Sequence, residues 1–337
     1  MDRAGQGEGR TLPRRIGFFL APHFSMMAFS SAVEPLRVAN LISQRELYRW
    51  QVFSRDGAPV AASNGMMVPA GGSIGAVPRV ATMLVCASHA PEDTMDRATL
   101  AWLRRMPVAG ITLGALDTGA WFLAHAGLLD GHRATVHWEW QDAFAEKFPE
   151  VDVRNSLFEI DRGRLTCAGG TAALDMMLHL IGHDVGHGLA VAIAEQFIHE
   201  RIRPADDTQR MPLGRRLGVM DAKLEAVIAA MEGSLEEPLR SAELAAIAGV
   251  SERQLERLFR RRLGCTPTQH YLDLRLRRAR VLLGQTRLPV REVALACGFA
   301  SPAHFSRAYR GQFGQPPRDE RRQVPTIPDR SRPTGTY

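Results

Sequence analysis

Lysine is almost absent: of 337 residues only Lys147 and Lys223 are lysines, and arginine supplies the rest of the 42 basic side chains. So uniform a bias reads as genomic composition and carries no function. Cysteine is scarce as well. Cys86, Cys167, Cys265 and Cys297 stand far apart and form no C-x-x-C pair. That argues against a disulfide framework and a zinc site, and leaves each thiol as a small buried apolar side chain. No apolar run reaches the roughly 18 residues of a membrane span, so no membrane partner is expected. From Met1 to Arg15 the chain is polar and Gly/Arg-rich, with no apolar core before a cleavage site. No signal peptide is expected, which places the protein in the cytoplasm.

What is present is a globular composition. Hydrophobic residues make up 45% and charged residues 23%, which excludes a largely disordered chain. The length suits two domains. The net charge of +6 is unevenly placed: residues 221–323 carry 18 Lys+Arg against 12 Asp+Glu, and the remainder carries 24 of each. A neutral body with a basic C-terminal module points to a polyanionic partner, most often nucleic acid.

The pattern changes once along the chain. Residues 1–14 and the Pro/Arg-rich tail 324–337 are expected to be disordered. Residues 15–202 alternate short apolar runs with helical stretches. Strands are expected at 16–21, 50–54, 82–87 and 110–113, and helices at 29–42, 93–105, 118–126, 172–181 and 189–198. That alternation predicts an α/β fold with a mostly parallel sheet. The polar stretch 203–218, with prolines at 204 and 212, reads as a linker. Residues 219–323 carry only helical signals.

Two segments of the C-terminal module have a helix-turn-helix pattern. In the first, Ser241 is expected to cap a helix with Leu244, Ile247 and Ala248 as its apolar stripe. Gly249 makes the turn, and Ser251 caps a second helix over 252–262. Leu255, Leu258 and Phe259 face inward there, while Arg253, Gln254, Arg257, Arg260 and Arg261 face out. About fifty residues later the pattern returns. Val290 opens a short helix ended by Gly298, and Ser301 caps a helix over 302–312. Phe305 and Tyr309 face in, with Ala303, His304, Arg307 and Arg310 outward. A long helix over 270–283 lies between the units. Two such helices held by one spacer would enter two successive major grooves of double-stranded DNA, about 34 Å apart.

With those features, residues 220–322 resemble the DNA-binding domain of the AraC/XylS family, carried by "ELAAIAGVSERQLERLFRRRLGCTPTQHYLDLRLRRARVLL" and "VREVALACGFASPAHFSRAYRGQFGQPPRDER". The resemblance implies base reading by Arg253 and Arg257 in one unit and His304 and Arg307 in the other. Glu256 matches a further exposed position. Ile247, Leu272, Ala279, Phe299 and Phe305 fall to the core, and Pro316 and Pro317 match a terminal Pro pair.

In the N-terminal module the stretch Ile111-Thr-Leu-Gly-Ala-Leu-Asp-Thr-Gly-Ala-Trp-Phe-Leu-Ala reads as strand, sharp turn at 116–119 and helix. That geometry presents an elbow residue at a helix start. The segment resembles the flavodoxin-like, glutamine-amidotransferase-like fold of the PfpI superfamily. With "AVEPLRVAN", "AGLLDGHRATVHW" and "TCAGGTAALDMMLHLI", residues 16–198 resemble the ligand-sensing half of GlxA-type regulators. Enzymes of that superfamily use a cysteine at the elbow, but here the position is Asp117. Their glutamate near the first helix is replaced by Phe29-Ser30-Ser31, with Glu34 a turn later, and only His137 is retained. The resemblance therefore implies the binding fold without the reaction, and no cofactor.

Asp117 suits a helix cap, and equally a cleft wall that pairs with a cation. The cleft is expected from Asp117, Thr118, Trp121, His137, Trp138 and Glu139, since indole faces and carboxylates attract ammonium and guanidinium groups. Core packing is the alternative for Trp121. His179, His183 and His187 have helical metal spacing but lack an acid to complete a set, so no metal is expected. Gly169-Gly170-Thr171 reads as a tight turn or an anion cradle, and Asp175 as structural or part of a subunit contact. The two resemblances together imply a nucleoid-associated, ligand-responsive transcription regulator. It would be an activator of catabolic genes for an amino-acid-like or quaternary-amine compound, working as a homodimer with RNA polymerase. Two other classes stay open: a hydrolase with a DNA-binding tail, either cysteine-independent or using Cys86 or Cys167, and an architectural DNA-binding protein.

Overall fold

A computed structural model describes residues 12–211, 221–286 and 288–320. The chain forms two compact units that divide after Arg210. The expected tails therefore fall largely outside the described residues, as do positions 212–218 of the expected linker.

The first unit is built on a seven-stranded sheet. Its strands are β1 (Arg14–Leu20), β2 (Tyr48–Ser54), β3 (Gly72–Ser73), β4 (Thr82–Ala87), β5 (Thr112–Asp117), β6 (Phe158–Asp161) and β7 (Arg164–Cys167). Their order is β6-β7-β5-β4-β1-β2-β3, and every pair is parallel except β6 with β7. Alternate residues of the buried strands feed two cores, as a sheet covered on both faces requires. Phe18, Leu20, Leu84 and Leu116 pack under α1 (Met26–Ser43), α5 (Ala172–Asp184) and α6 (His187–Gln196). Phe19, Val85, Leu113 and Ala115 pack under α2 (Arg97–Val108), α3 (Gly119–His125) and α4 (Gln141–Lys147).

The sheet is mostly parallel and layered with helices, as expected. The edges differ in detail. Strand β5 runs four residues beyond the expected 113, so Asp117 is its last residue. The helix expected at 93–105 is a 3-10 turn, Pro91–Thr94, followed by α2 with Asp96 as its cap, 2.7 Å from the Thr99 N–H. Strands β3, β6 and β7 were not expected: they are too short and too mixed in polarity to show a period.

The second unit is helical. Its elements are α7 (Ala222–Gly233), α8 (Ser241–Ile247), α9 (Glu252–Leu263), α10 (Pro267–Gln285), α11 (Val290–Ala296), α12 (Pro302–Phe313) and α13 (Pro317–Glu320). There are two small cores. Leu244, Leu255, Phe259 and Tyr271 belong to one; Leu276, Ala279, Val293, Phe299 and Phe305 belong to the other. Helix α10 contributes to both, which makes it the spacer between the helix-turn-helix units.

Four expectations fail here. Ile247 is 44% exposed, because the short α8 buries only Leu244, Ala245 and Ala248. The cap of α8 is Arg240, not Ser241: the Glu243 carboxylate accepts the Arg240 N–H at 2.7 Å, which puts the acid at the third helical position where such a box needs it. The Pro316-Pro317 pair does not end the chain's structure. Pro317 starts α13, whose Glu320 accepts the Tyr309 hydroxyl at 2.8 Å and pairs with Arg280 at 2.8 Å. Of the cysteines, Cys265 is only half-buried.

Candidate ligand cleft and nucleic-acid interface

The elbow lies at the C-terminal ends of the parallel strands of the first unit, the edge at which open α/β sheets bind ligands. Cys86 of β4, Leu116 of β5 and Cys167 of β7 lie side by side in the sheet register. The next residue, Asp117, turns into α3 with φ +60°. Few non-glycine residues adopt that left-handed conformation, and Asp is among those that do so more readily. The side chain is 9% exposed. Burial pushes its carboxyl up to about 7, the Thr118 N–H opposes the rise, and the Glu139 carboxylate adds to it. Gly169, with φ +90°, closes over it from the turn after β7.

The Glu139 carboxylate that acts on Asp117 belongs to the segment His137-Trp138-Glu139. His137 precedes a 3-10 turn, Trp138–Trp140, and its Nδ1 accepts the Glu139 N–H at 3.4 Å. That bond leaves the proton on Nε2. Burial holds the imidazole below its ordinary value; Glu139 opposes this, and His89 reinforces it. The two nearby tryptophans part ways in that tight turn. Trp140 is buried, whereas Trp138 is 38% exposed and carries the Arg210 guanidinium 4.7 Å from its ring centroid. The residues near the elbow thus include two carboxyl groups, a half-exposed indole and an imidazole. His89 and Arg210 were missed in the sequence, because nothing in their local pattern links them to the elbow.

Two expected cleft residues are corrected. Trp121 is 2% exposed and packs edge-on against Trp140, Phe144 and Phe148 at 5.5–5.6 Å. It lies on the core side of α3 and cannot reach a ligand. Thr118 is fully buried, and its hydroxyl is spent on the Ser88 carbonyl. Glu34 is turned away and paired with Arg37 at 2.7 Å. The Thr171 hydroxyl accepts the Arg203 guanidinium at 2.8 Å, and Gly169 N–H donates to the Cys167 Sγ at 3.4 Å. That turn is tied internally at these two groups. His179, His183 and His187 are exposed, and no cluster able to hold a metal occurs among the described residues.

The second unit carries its basic side chains where the sequence put them. Gly249 and Gly298 take φ +62° and +71° at the two turns. Ser251 and Ser301 cap α9 and α12 through the N–H groups of Gln254 and His304, both at 3.3 Å. Arg253, Arg257, Arg260, Arg261, Ala303, His304, Arg307 and Arg310 are exposed. Gln254 is a correction: its Oε1 accepts the Ser251 N–H at 2.9 Å, so its amide serves the cap before it serves a base edge. Arg260 is bridged to Glu256 at 2.8 Å. A further residue was missed. Arg275 of α10 donates to the Cys297 and Gly298 carbonyls at 2.7 and 2.6 Å and lies 4.1 Å from the Phe299 ring centroid. It clamps the turn of the second unit from the spacer helix.

A profile described as the DJ-1/PfpI family matches residues 14–183, and one described as a helix-turn-helix domain matches 244–323. Among characterised relatives, the HTH-type transcriptional regulators CdhR and GbdR of Pseudomonas aeruginosa are 50% and 49% identical. CdhR is matched over 94% of each chain, and GbdR over 93% of this chain and 85% of its own. GlxA of Rhizobium meliloti is 40% identical over 92% of this chain and 96% of its own. A solved AraC family transcriptional regulator from Pseudomonas putida is 31% identical, with TM-score 0.50, over 55% of this chain and 100% of that one.

Proposed function

Because the chain belongs to the HTH-type transcriptional regulators that join a DJ-1/PfpI domain to an AraC-type helix-turn-helix module, we propose that its N-terminal cleft senses a small organic cation. Binding there alters how the C-terminal unit holds its operator. The observation that carries the reading is Asp117 at the elbow. The strained turn that presents a nucleophile in the enzymes of the fold is kept, but the presented group is a carboxyl, which binds cations.

The acid cannot replace a thiolate in attack on an amide, and the neighbouring His137 gives it no nucleophile to activate. Nor do the two buried thiols. Burial pushes Cys86 well above its ordinary value and Cys167 up to about 12, and the Asp117 carboxyl adds to both. Neither is a thiolate at neutral pH. A hydrolase built on either thiol therefore has no nucleophile at neutral pH.

On this reading Asp117, Glu139 and the Trp138 face hold the cationic centre, and His137 offers an Nε2–H donor to a polar group on the same molecule. A quaternary amine or a cationic amino acid has that shape of charge. The activator role on catabolic genes, the pairing of two chains and the contact with RNA polymerase belong to the same proposal. The effector biases DNA binding only by its different affinity for two arrangements of the chain.

DNA reading is assigned to Arg253 and Arg257 on α9 and to His304 and Arg307 on α12, near the helix starts that meet base edges. Arg260 and Arg310, a turn or more later, suit phosphates. On a mapped operator, Arg257→Ala and Arg307→Ala should each weaken binding by about 1–3 kcal/mol. A thermal-shift screen of the full chain against quaternary amines, polyamines and amino acids should give a hit that Asp117→Ala removes. Wild-type operator affinity in both arginine variants would overturn the DNA reading. A hit unmoved by Asp117→Ala would overturn the cleft.

A further inference from the structure

The last residues of the first unit fold back along the cleft wall. Arg203 grips the fully buried Asp175 with two guanidinium bonds of 2.9 and 2.6 Å, and its backbone N–H adds a third of 2.8 Å. His199 reaches the same carboxylate at 2.9 Å. The Ala205 carbonyl then accepts the Leu157 N–H at 2.9 Å. Gln209 Nε2 sits 3.0 Å from Thr135 Oγ1, 3.0 Å from the Val136 carbonyl and 2.8 Å from the Ser156 carbonyl. Arg210, where the unit ends, lies on Trp138. The segment 203–210, expected as the start of a linker, is therefore a strap fixed at one end by an ion pair and at the other by a cation on an indole.

The two ends differ in character. The Asp175 end is buried and fully paired. At the other end Gln209 Oε1 and Ser156 Oγ are buried without a protein partner, and Arg210 is exposed. Unseating that end returns two unpaired polar atoms to water, which offsets part of the cost of breaking the Gln209 Nε2 contacts. The His137 ring also lies 5.5 Å from that of Trp138, tilted by 38°. A guanidinium and an ammonium are drawn to an indole face by the same attraction.

We propose that Arg210 is the internal occupant of the effector's cation site, so that an organic cation binds Trp138 by displacing Arg210 and unseating the end of the strap. This rests on the cleft being an effector site. It adds the route by which occupancy is passed on: Arg210 is the last residue before the DNA-binding unit, so the displaced residue is the one joined to the responding part. While Arg210 is seated, only the unseated fraction of molecules is competent to bind, which weakens apparent affinity by that fraction.

The test uses the full chain with tetramethylammonium and choline as probes and sodium chloride as the control, read by calorimetric titration and by hydrogen exchange of residues 203–210. Arg210→Ala should tighten choline binding at least three-fold, and Gln209→Ala should act in the same direction. Trp138→Ala should abolish binding. Choline should raise exchange at 209–210 in the wild type and leave 203–205 protected. Unchanged or weaker binding by Arg210→Ala, with Trp138→Ala still null, overturns the displacement and leaves the cleft standing. No saturable binding to the wild type or to Arg210→Ala overturns both.

Discussion

A methyl group placed on Gly169 would lie 2.8 Å from the Asp117 Cβ, so the turn after β7 closes directly onto the elbow residue. The two are 52 residues apart in sequence, and their contact defines the floor of the cleft.

Gly169→Ala should consequently cost more than a loop substitution does. The position has φ +90° and no room for a Cβ, and strain of that kind costs about 1–3 kcal/mol before any clash. Its neighbour Gly170 also has positive φ but open space around it, so Gly170→Ala should cost only about 1–2 kcal/mol. Urea unfolding of both variants checks the ordering. Equal losses would mean that Gly169 yields without moving Asp117.

Asp117 gives the first unit a pH dependence of definite sign. Its folded value is raised to about 7 from 3.8 by burial. A raised acid favours the folded state while protonated: its contribution is complete below about pH 4 and is lost as pH rises through 7. Asp117→Asn removes that loss. The variant should be more stable than wild type at pH 8, by on the order of 4 kcal/mol at most, and the gap should close below about pH 4. A cation at the site favours the ionised form, so its affinity should rise between pH 6 and 8 in the wild type and stay flat in Asp117→Asn. Denaturation and calorimetry at the same pH values measure both.

Arg275→Met should damage one half of the second unit selectively. It removes two bonds to carbonyls and the stacking on Phe299, worth about 2–4 kcal/mol together. Footprinting should then lose protection at the site of α12 before that of α9. Uniform loss at both sites would show that the two units fold and bind as one.

Much of this was legible in the sequence for one reason: buried strands and amphipathic helices announce themselves by their period. Strand 82–87, the two serine caps and the exposed arginines of α9 and α12 all follow from spacing alone. The elbow was readable because strand, turn and helix lie in one continuous stretch. What could not be read is where distant stretches meet. The fates of Trp138 and Trp140 were decided by a 3-10 turn, which has no sequence period, and Ile247 looked buried because its helix is apolar on more sides than its neighbours can cover. Gln209 and Arg210 sit in a polar segment that resembles any linker. Only the positions of Thr135, Ser156 and Trp138 show that it is seated.

Helix α10 has 19 residues and supplies Tyr271 to one core and Leu276, Ala279, Leu282 and Leu283 to the other. At 1.5 Å per residue it is a rod of about 28 Å. On the proposed docking, such a rod makes the distance between the two DNA sites a property of the protein. Promoters can then enter or leave this regulator's control by base changes at fixed positions, whereas a half-turn insertion of about five base pairs would carry one site to the far side of the duplex. Divergence among its targets should therefore appear as drift in letters and not in spacing.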